Sequence, residues 1–176
     1  WLSGFQGSSI HELSQSMSLA PASLYAAFGS KEALFEEAVS LYLATEAEKP
    51  WQVFEQAPRI RDGVHSLLVE TVNVLTHSGR PRGCLLVLGD KGMSPSPDSV
   101  RDVMRKQRDL KREQLLARLQ RALAEGQITA ATDVDALAAS VFIFMSGLSI
   151  ETADGAPKTR LLSAIGEFMS QWPAAD

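Results

Sequence analysis

The stretch Ser9–Val39, SIHELSQSMSLAPASLYAAFGSKEALFEEAV, predicts two short helices, a tight corner and the start of a longer helix. Ser9 and Glu12 have the spacing of a capping box, in which each side chain satisfies the other residue's backbone amide. Pro21 suits the first turn of the next helix, where a missing N–H costs little, and Ser30 is expected to cap the third helix. Two short helices joined by a tight corner form a helix-turn-helix, an arrangement that presents its second helix to a DNA major groove.

The charge of this stretch does not by itself favour nucleic acid. The chain has 176 residues with 17 Lys and Arg against 21 Asp and Glu, a formal net charge of −4. Residues 1–49 hold Lys31 and Lys49 against six glutamates, which is again −4. Binding driven by counterion release needs several Lys or Arg contacts to phosphates. Such a head would rely on amide and hydroxyl donors, which position a protein on DNA but add less affinity.

Composition limits the other classes of function. A single cysteine, Cys84, excludes an intrachain disulfide and a Cys-rich zinc site, and it fits a reducing cytoplasm. The apolar runs CLLVLG and VFIFMSGLSI are shorter than the ~20 residues of a membrane span, and no export leader opens the chain. The three histidines lack metal-site spacing. We therefore expect a cytoplasmic protein without a membrane partner, metal, cofactor or catalytic residue.

The remainder of the chain has helical periodicity and no useful strand-like alternation, which predicts an all-α fold. We expect a helix-turn-helix head over residues 1–49 and a helical-bundle body over residues 50–176. Pro50 and Pro58 are expected to bracket a connector after a third helix that reaches Lys49. The segment GCLLVLGDKG could form two turns of buried helix or a strand, and the absence of a partner strand favours the helix. Four longer helices are expected at about 59–78, 98–125, 133–152 and 157–172.

The run GFQGSSIHELSQSMSLAPASLYAAFGSKEALF resembles the DNA-binding head of the TetR family of transcriptional regulators. The shared pattern is a Gly-aromatic pair, a Ser/Thr pair, a helix, a corner, Leu-Tyr, a phenylalanine, and a Lys-Glu-x-Leu entry into the next helix. The matching residues are Gly4, Phe5, Ser8, Ser9, Ile10, Leu13, Leu24, Tyr25, Phe28, Lys31, Leu34 and Phe35.

The resemblance implies two groups of DNA-binding residues. One group would contact phosphates, partly because helix N-termini suit anions; it consists of Ser8, Ser9, Tyr25 and Lys31. The other group would face the groove from the second helix; it consists of Pro21, Ala22, Ser23 and Ala26.

Three features depart from the family pattern. Ser18 stands where a corner glycine is usual, so the corner is expected to need a positive φ at a non-glycine residue. Ala27 replaces a common histidine and removes one phosphate contact. The first family helix is mostly missing, with Trp1 and Leu2 as its expected last turn. We expect the chain as it stands to bind DNA poorly, and a longer chain that completes this helix to bind well.

The resemblance also implies a body that binds a small molecule and dimerises through its last two helices. The run VFIFM at 141–145 is apolar all round, as expected of a helix buried on two sides. Full burial within one protomer would explain it, but a twin subunit is favoured because symmetric dimers are common. The expected interface residues are Ile143, Ile165, Phe168, Met169 and Trp172.

Flexible sulfur-containing and aromatic side chains suit varied apolar ligands, and they suggest a pocket in the body. The expected pocket residues are Cys84, Met104, Phe142, Phe144 and Met145, with plain core packing as the alternative for each. Arg80 and Arg82 could lower the pKa of the Cys84 thiol. Some family members that resemble this segment use a cysteine there to sense electrophiles or oxidants, but a buried, inert thiol is favoured.

The segment from Arg101 to Arg121 holds eight basic and three acidic residues. It could form a second nucleic-acid patch, but a solvated helix face is favoured.

These observations together predict a ligand-responsive DNA-binding transcriptional regulator. It would be a homodimeric repressor that a small molecule releases from double-stranded, palindromic operator DNA by changing the separation of the two heads. One alternative is a helical small-molecule-binding or thiol-sensing protein without a DNA role. An enzyme with Cys84 as nucleophile is disfavoured, because the sequence shows no histidine paired with it.

Overall fold

A computed structural model describes residues 3–90 and 96–173, and the elements in these ranges are α-helices. This confirms the all-α prediction. The helices are α1 Ile10–Ser16, α2 Pro21–Phe28, α3 Lys31–Thr45, α4 Glu48–Gln56, α5 Ile60–Leu75, α6 Leu85–Leu88, α7 Asp98–Ala124, α8 Val134–Ala153 and α9 Lys158–Ser170.

Helices α1 and α2 form the predicted helix-turn-helix. The Ser9 hydroxyl accepts from the Glu12 amide at 3.1 Å, and the Glu12 carboxylate accepts from the Ser9 amide at 2.7 Å, so the capping box is complete. The corner turns at Ser18, whose φ of 55° confirms the expected positive value at a non-glycine residue. Leu24 is buried and packs α2 inward, while the opposite side of α2 stays open to solvent.

The chain between the head and the body differs from the prediction. Helix α3 ends at Thr45 instead of reaching residue 49, and the expected connector is mostly helix α4. Pro50 lies in the first turn of α4, where no intrahelical bond is lost. Trp51 and Phe54 are buried on the inner side of α4 with their rings edge to face, 6.0 Å apart. The expected domain boundary after residue 49 falls inside α4, and the nearest turn of the chain is at residues 46–47.

The body is built on α5, which packs against α4, α7, α8 and α9. Its core is apolar and almost free of solvent contact. A second, smaller cluster joins α3 to α6 and α7 and therefore connects the head to the body. Its members are Val39, Tyr42, Leu85, Leu86 and Met104. The segment GCLLVLGDKG contributes the single-turn helix α6, and the last residues of this stretch, with the loop as far as residue 95, lie outside the described residues.

Helix α8 is long and apolar enough to cross a membrane by length and composition, with a mean hydropathy of 1.6 in its most apolar window. Helices buried in bundles often have the same composition. Here α8 packs against α5, α6, α7 and α9. Val141 is fully buried whereas Ile143 is 71% exposed, so α8 buries one side in the protomer and leaves an apolar side uncovered.

Candidate functional site

The outer side of α2 is the surface on which the predicted groove residues lie. Pro21, Ala22, Ser23 and Ala26 are all exposed, and Tyr25 is 51% exposed with its ring directed away from the core. No side chain caps the start of α2. Pro21 has no amide hydrogen and the Ser23 amide donates to the Ala20 carbonyl at 2.9 Å, so the Ala22 amide is the group there that an anionic oxygen could use. The helix-turn-helix therefore presents small side chains and one phenol hydroxyl on the exposed side of α2.

The predicted phosphate contacts lie beside this surface. Ser9 is exposed, and the half-buried Ser8 hydroxyl donates to the Gly4 carbonyl at 3.0 Å. Lys31 begins α3 with its Nζ 4.2 Å from the centre of the Phe5 ring, a cation–π contact. Phe5 is buried and packs edge to face on Phe35 at 5.4 Å. The Lys31 ammonium is thus held on an aromatic base at the surface of the head.

The basic side chains of α7 are mostly engaged in intramolecular contacts. Arg101 pairs with Asp98, Arg105 pairs with Asp102 at 2.6 Å, and Arg112 pairs with Asp109 at 2.5 Å. Such i,i+3 pairs on an exposed helix face contribute only a few tenths of a kcal/mol. The arrangement is typical of a solvated face and gives no support to a second nucleic-acid patch.

A cavity of about 70 Å³ lies in the body between α3, α4, α5, α6, α7 and α8; we call it the central cavity. Cys84, Phe142 and Met145, three of the five expected pocket residues, line it. Met104 is fully buried in the smaller core cluster. Phe144 lies on the other side of α8 and stacks on Phe168, with ring centres 4.4 Å apart. Helical geometry keeps Phe144 out of the cavity, because positions 142 and 145 share a face of α8 that position 144 does not.

The environment of Cys84 differs from the one its sequence neighbours suggested. Arg82 donates to the backbone carbonyls of Thr152 at 2.9 Å and of Ala156 at 2.6 Å, and Arg80 pairs with Glu46. Burial instead raises the pKa of the Cys84 thiol, and this outweighs the opposing hydrogen bond from the Tyr42 hydroxyl, 3.4 Å from Sγ. The expectation that Arg80 and Arg82 lower this pKa is therefore wrong. A protonated thiol is a poor nucleophile.

Two cations in the cavity wall, Arg108 and Lys111, were assigned by sequence to the solvated face of α7. The Arg108 guanidinium donates to the Leu86 carbonyl at 2.7 Å and to the Asp90 carboxylate at 3.3 Å. A signal for both residues exists in the sequence. A buried helix stripe has 4–3–4 spacing, and this spacing joins positions 104, 108, 111 and 115. Arg108 and Lys111 therefore lie in the stripe between Met104 and Leu115, which are fully buried.

The expected dimer-interface residues divide between the core and the surface. Ile165, Met169 and Trp172 are buried in the protomer's own core, where they pack α9 against the rest of the body. Ile143 is 71% exposed, and Phe168 is half-buried beside Phe144. The surface that could meet a second copy therefore centres on Ile143 and Phe168.

Among residues 3–90 and 96–173, no three His, Cys, Asp or Glu side chains come close enough together to hold a metal ion.

Two family models match the chain. Residues 1–38 match the model described as bacterial regulatory proteins, tetR family. Residues 61–157, more than half of the chain, match the model described as Tetracyclin repressor-like, C-terminal domain. The two matches correspond to the helix-turn-helix and to most of the helical body.

Relatives matched over most of their length agree with these matches. The HTH-type transcriptional repressor ComR of Escherichia coli (strain K12) is 24% identical over 98% of this chain and 83% of its own length. A cysteine mutant of the TetR family transcriptional regulator CifR, solved with a 26-bp double-strand operator DNA, is 38% identical with a TM-score of 0.91, covering 98% of this chain and 91% of that one. A putative TetR transcriptional regulator from Rhodococcus sp. RHA1 is 35% identical over 99% of this chain and 93% of its own, with a TM-score of 0.69. The chain belongs to the TetR family of DNA-binding transcriptional regulators.

Proposed function

We propose that this protein is a cytoplasmic, homodimeric repressor that binds a palindromic operator through α2 and leaves it when a small molecule fills the central cavity. The observation that carries the proposal is the exposed outer surface of α2, which a complete capping box and the Ser18 corner hold in place. The operator complex of CifR supports a DNA partner for a chain of this shape.

The proposed DNA contacts divide into positioning and reading. Tyr25, Lys31 and the Ala22 amide would donate to phosphates and would fix the register of the head. The Ser8 and Ser9 hydroxyls would join them only by leaving the Gly4 carbonyl and the Glu12 carboxylate, to which they donate in the free protein. Ala22 and Ala26 would pack against thymine methyl groups, and Ser23 would bond either donors or acceptors on base edges. With one cation on the surface, the head depends on neutral donors more than most DNA-binding helices do.

The helix α6 connects the proposed effector site to the head. Leu86 of α6 lines the central cavity, and the Gly89 carbonyl at the end of α6 accepts from the Phe5 amide at 3.0 Å. Phe5 in turn supports Lys31. A ligand in the cavity would contact Leu86 of α6, and a shift of α6 on binding would reach the DNA-binding surface through Phe5. A ligand can shift a protein between two conformations only if it binds one of them more tightly. Here the contact with α6 would differ between the two conformations.

The uncovered apolar side of α8 and α9 is the proposed dimer interface. It carries Ile143 at its centre, with Ile150 on the same helix at 49% exposure and the stacked rings of Phe144 and Phe168 beside it. An apolar surface of this kind on a folded chain commonly marks a protein–protein contact. Two heads fixed by one interface would reach half-sites a helical turn apart.

The test is fluorescence anisotropy of the intact protein with DNA from upstream of its own gene. We expect Tyr25→Phe to weaken binding about fivefold through the loss of one hydrogen bond, and Lys31→Met to weaken it more because a charged contact is lost. Lys49→Met is the matched control, since Lys49 lies on α4 and pairs with Glu70 at 2.7 Å. Equal effects of the two lysine substitutions, or equal affinity for unrelated DNA, would overturn the proposal.

A further inference from the structure

The side chain of Lys111 lines the central cavity and has hydrogen-bond donors to spare. Its Nζ lies 4.8 Å from the centre of the Trp51 ring and donates to the Gln114 side chain at 3.2 Å. No carboxylate within the described residues is close enough to pair with it. An ammonium group carries three donors, so the bond to Gln114 uses one of them and leaves two on a side chain that lines the central cavity.

The charged groups around Lys111 already have partners. Arg108 in the same wall is held by the Leu86 carbonyl and Asp90. Glu55 accepts from Gln114 at 3.1 Å and pairs with Arg121 at 3.7 Å, and Glu48 accepts from Gln52 at 3.4 Å. Burial lowers the pKa of Lys111, while attraction to Glu48 and Glu55 opposes this shift without cancelling it. The ammonium is therefore partly desolvated and incompletely bonded.

The rest of the cavity wall near Lys111 is apolar. Trp51, Leu75, Phe142 and Met145 supply aromatic and aliphatic surface, on which a hydrocarbon group would be favoured over water. The volume of about 70 Å³ is well below the 300–1,000 Å³ of typical drug-sized sites. A single ring or a short branched chain is the largest group that would enter without a large displacement of the wall.

We propose that the central cavity takes a small organic acid whose apolar part lies between Trp51 and Phe142 and whose carboxylate is bound by the Lys111 ammonium. Charge-assisted hydrogen bonds are about twice as strong as neutral ones, so the cavity would prefer the anion over a neutral molecule of the same shape. This inference deepens the proposed function, because it rests on the central cavity being the effector site.

The test is calorimetric titration of the intact protein with benzoate and with nitrobenzene, its uncharged isostere. We expect benzoate to bind about tenfold more tightly than nitrobenzene, a difference of about 1.4 kcal/mol. Lys111→Met should abolish the preference by weakening benzoate alone. Lys106→Met is the matched control, since Lys106 is an exposed lysine of the same helix, and it should leave both affinities unchanged. Lys111→Gln replaces Lys111→Met if thermal unfolding shows that the methionine variant does not fold.

Three outcomes would overturn the inference: equal affinity for the two probes, unchanged benzoate binding in the Lys111 variants, or no benzoate binding up to millimolar concentration. Operator binding is measured on the same samples. Benzoate-selective binding that leaves the operator complex intact would support the ligand class and overturn the effector role of the cavity. Failure of the protein to bind its upstream DNA would overturn the proposed function and leave the ligand preference standing.

Discussion

At the scale of single residues, the sulfur of Cys84 lies on the wall of the central cavity, 3.4 Å from the Tyr42 hydroxyl. Its backbone amide donates to the Ser149 hydroxyl at 2.8 Å, which fixes the residue at the start of α6. Burial raises the thiol pKa, and Arg108, whose charge opposes this shift, is already paired with Asp90. The thiol is therefore mostly protonated at neutral pH.

We predict that Cys84 reacts with iodoacetamide at pH 7.5 at least about tenfold more slowly than an unperturbed thiol of pKa about 8.5. The Tyr42 hydroxyl stabilises the thiolate, so Tyr42→Phe should slow the reaction further, while Tyr25→Phe in the head should have no effect. Mass spectrometry of the alkylated protein over time measures the rates. A rate equal to that of the unfolded chain would contradict the burial of this thiol.

The same pKa shift affects stability with a definite sign. Because the folded-state pKa of Cys84 is raised, the folded protein holds the thiol proton more tightly than the unfolded chain does. The contribution of this thiol to the free energy of unfolding is fully present below the unfolded-state pKa of about 8.5. It is lost as the pH rises through the folded-state pKa. Chemical unfolding measures the free energy of unfolding at pH 7 and at pH 10. The difference between these two free energies should be smaller in a Cys84→Ser variant than in the unaltered protein.

Residue-scale features were predictable where they depend on local sequence. The capping box needs only the spacing of Ser9 and Glu12, and the positive φ of Ser18 follows from the short corner between two recognisable helices. The environment of Cys84 was not predictable, because its neighbours come from residues tens of positions away. The partners of Arg82 were not predictable for the same reason, since the carbonyls that it bonds belong to the end of α8 and to the turn after it.

At the scale of elements, α6 is a single helical turn that cannot be stable by itself. Its position depends on groups outside it. The Arg108 guanidinium bonds the Leu86 carbonyl, and Leu85 and Leu86 pack against Val39 and Met104. Because α6 contacts the head, the cavity and α7, it is the element on which the proposed ligand response depends.

We predict that Arg108→Met lowers the free energy of unfolding by about 1–3 kcal/mol, since the Leu86 carbonyl and the nearly buried Asp90 carboxylate both lose a charged donor. Operator affinity should also fall, because Phe5 loses a fixed partner at Gly89. Arg105→Met on the same helix removes only an exposed pair and should change stability by less than about 0.5 kcal/mol. Urea denaturation and anisotropy measure the two effects. If the two variants behave alike, α6 is not held by Arg108.

Long helices were predicted well because their apolar stripes are long and regular. The break between α3 and α4 was not predicted from the sequence, because proline is common both just after a helix and within the first turn of one. The cavity cations were missed for a different reason. Arg108 and Lys111 look like parts of a charged face until α7 is seen to pack with both residues inward, in line with Met104 and Leu115.

At the scale of the whole molecule, the proposed function depends on two heads held at a fixed separation. Each protomer leaves Ile143 71% exposed in an otherwise well-packed bundle. Burial of this surface against a second copy would place α8 between two cores and would account for the run VFIFM being apolar on every side.

We predict that Ile143→Glu gives a folded monomer by light scattering, because the residue makes little contact within its own protomer and a buried charge opposes the interface. Operator affinity should fall at least about tenfold, since the two heads would no longer bind as one unit. Leu110→Glu, at a 48% exposed position on α7, should leave both properties unchanged. A dimer that survives Ile143→Glu would place the interface elsewhere.

At this scale the sequence supported the all-helical class and the order of head and body, because the helix-turn-helix carries a specific pattern. The side of α9 that meets the core could not be predicted from periodicity alone. Ile165, Met169 and Trp172 form an apolar stripe that would suit a partner subunit as well as the protomer's own core, and packing against α5 decides between them.

The most direct test of DNA-dependent regulation is a salt titration of the protein's affinity for DNA from upstream of its own gene. Each phosphate neutralised by a Lys or Arg should contribute about −0.9 to the slope of log affinity against log salt. We predict sequence-specific binding with a slope of about −2, one Lys31 contact for each head of the dimer, and a slope near zero in Lys31→Met. Weak binding that ignores both salt and DNA sequence would contradict a role for this helix-turn-helix in operator recognition.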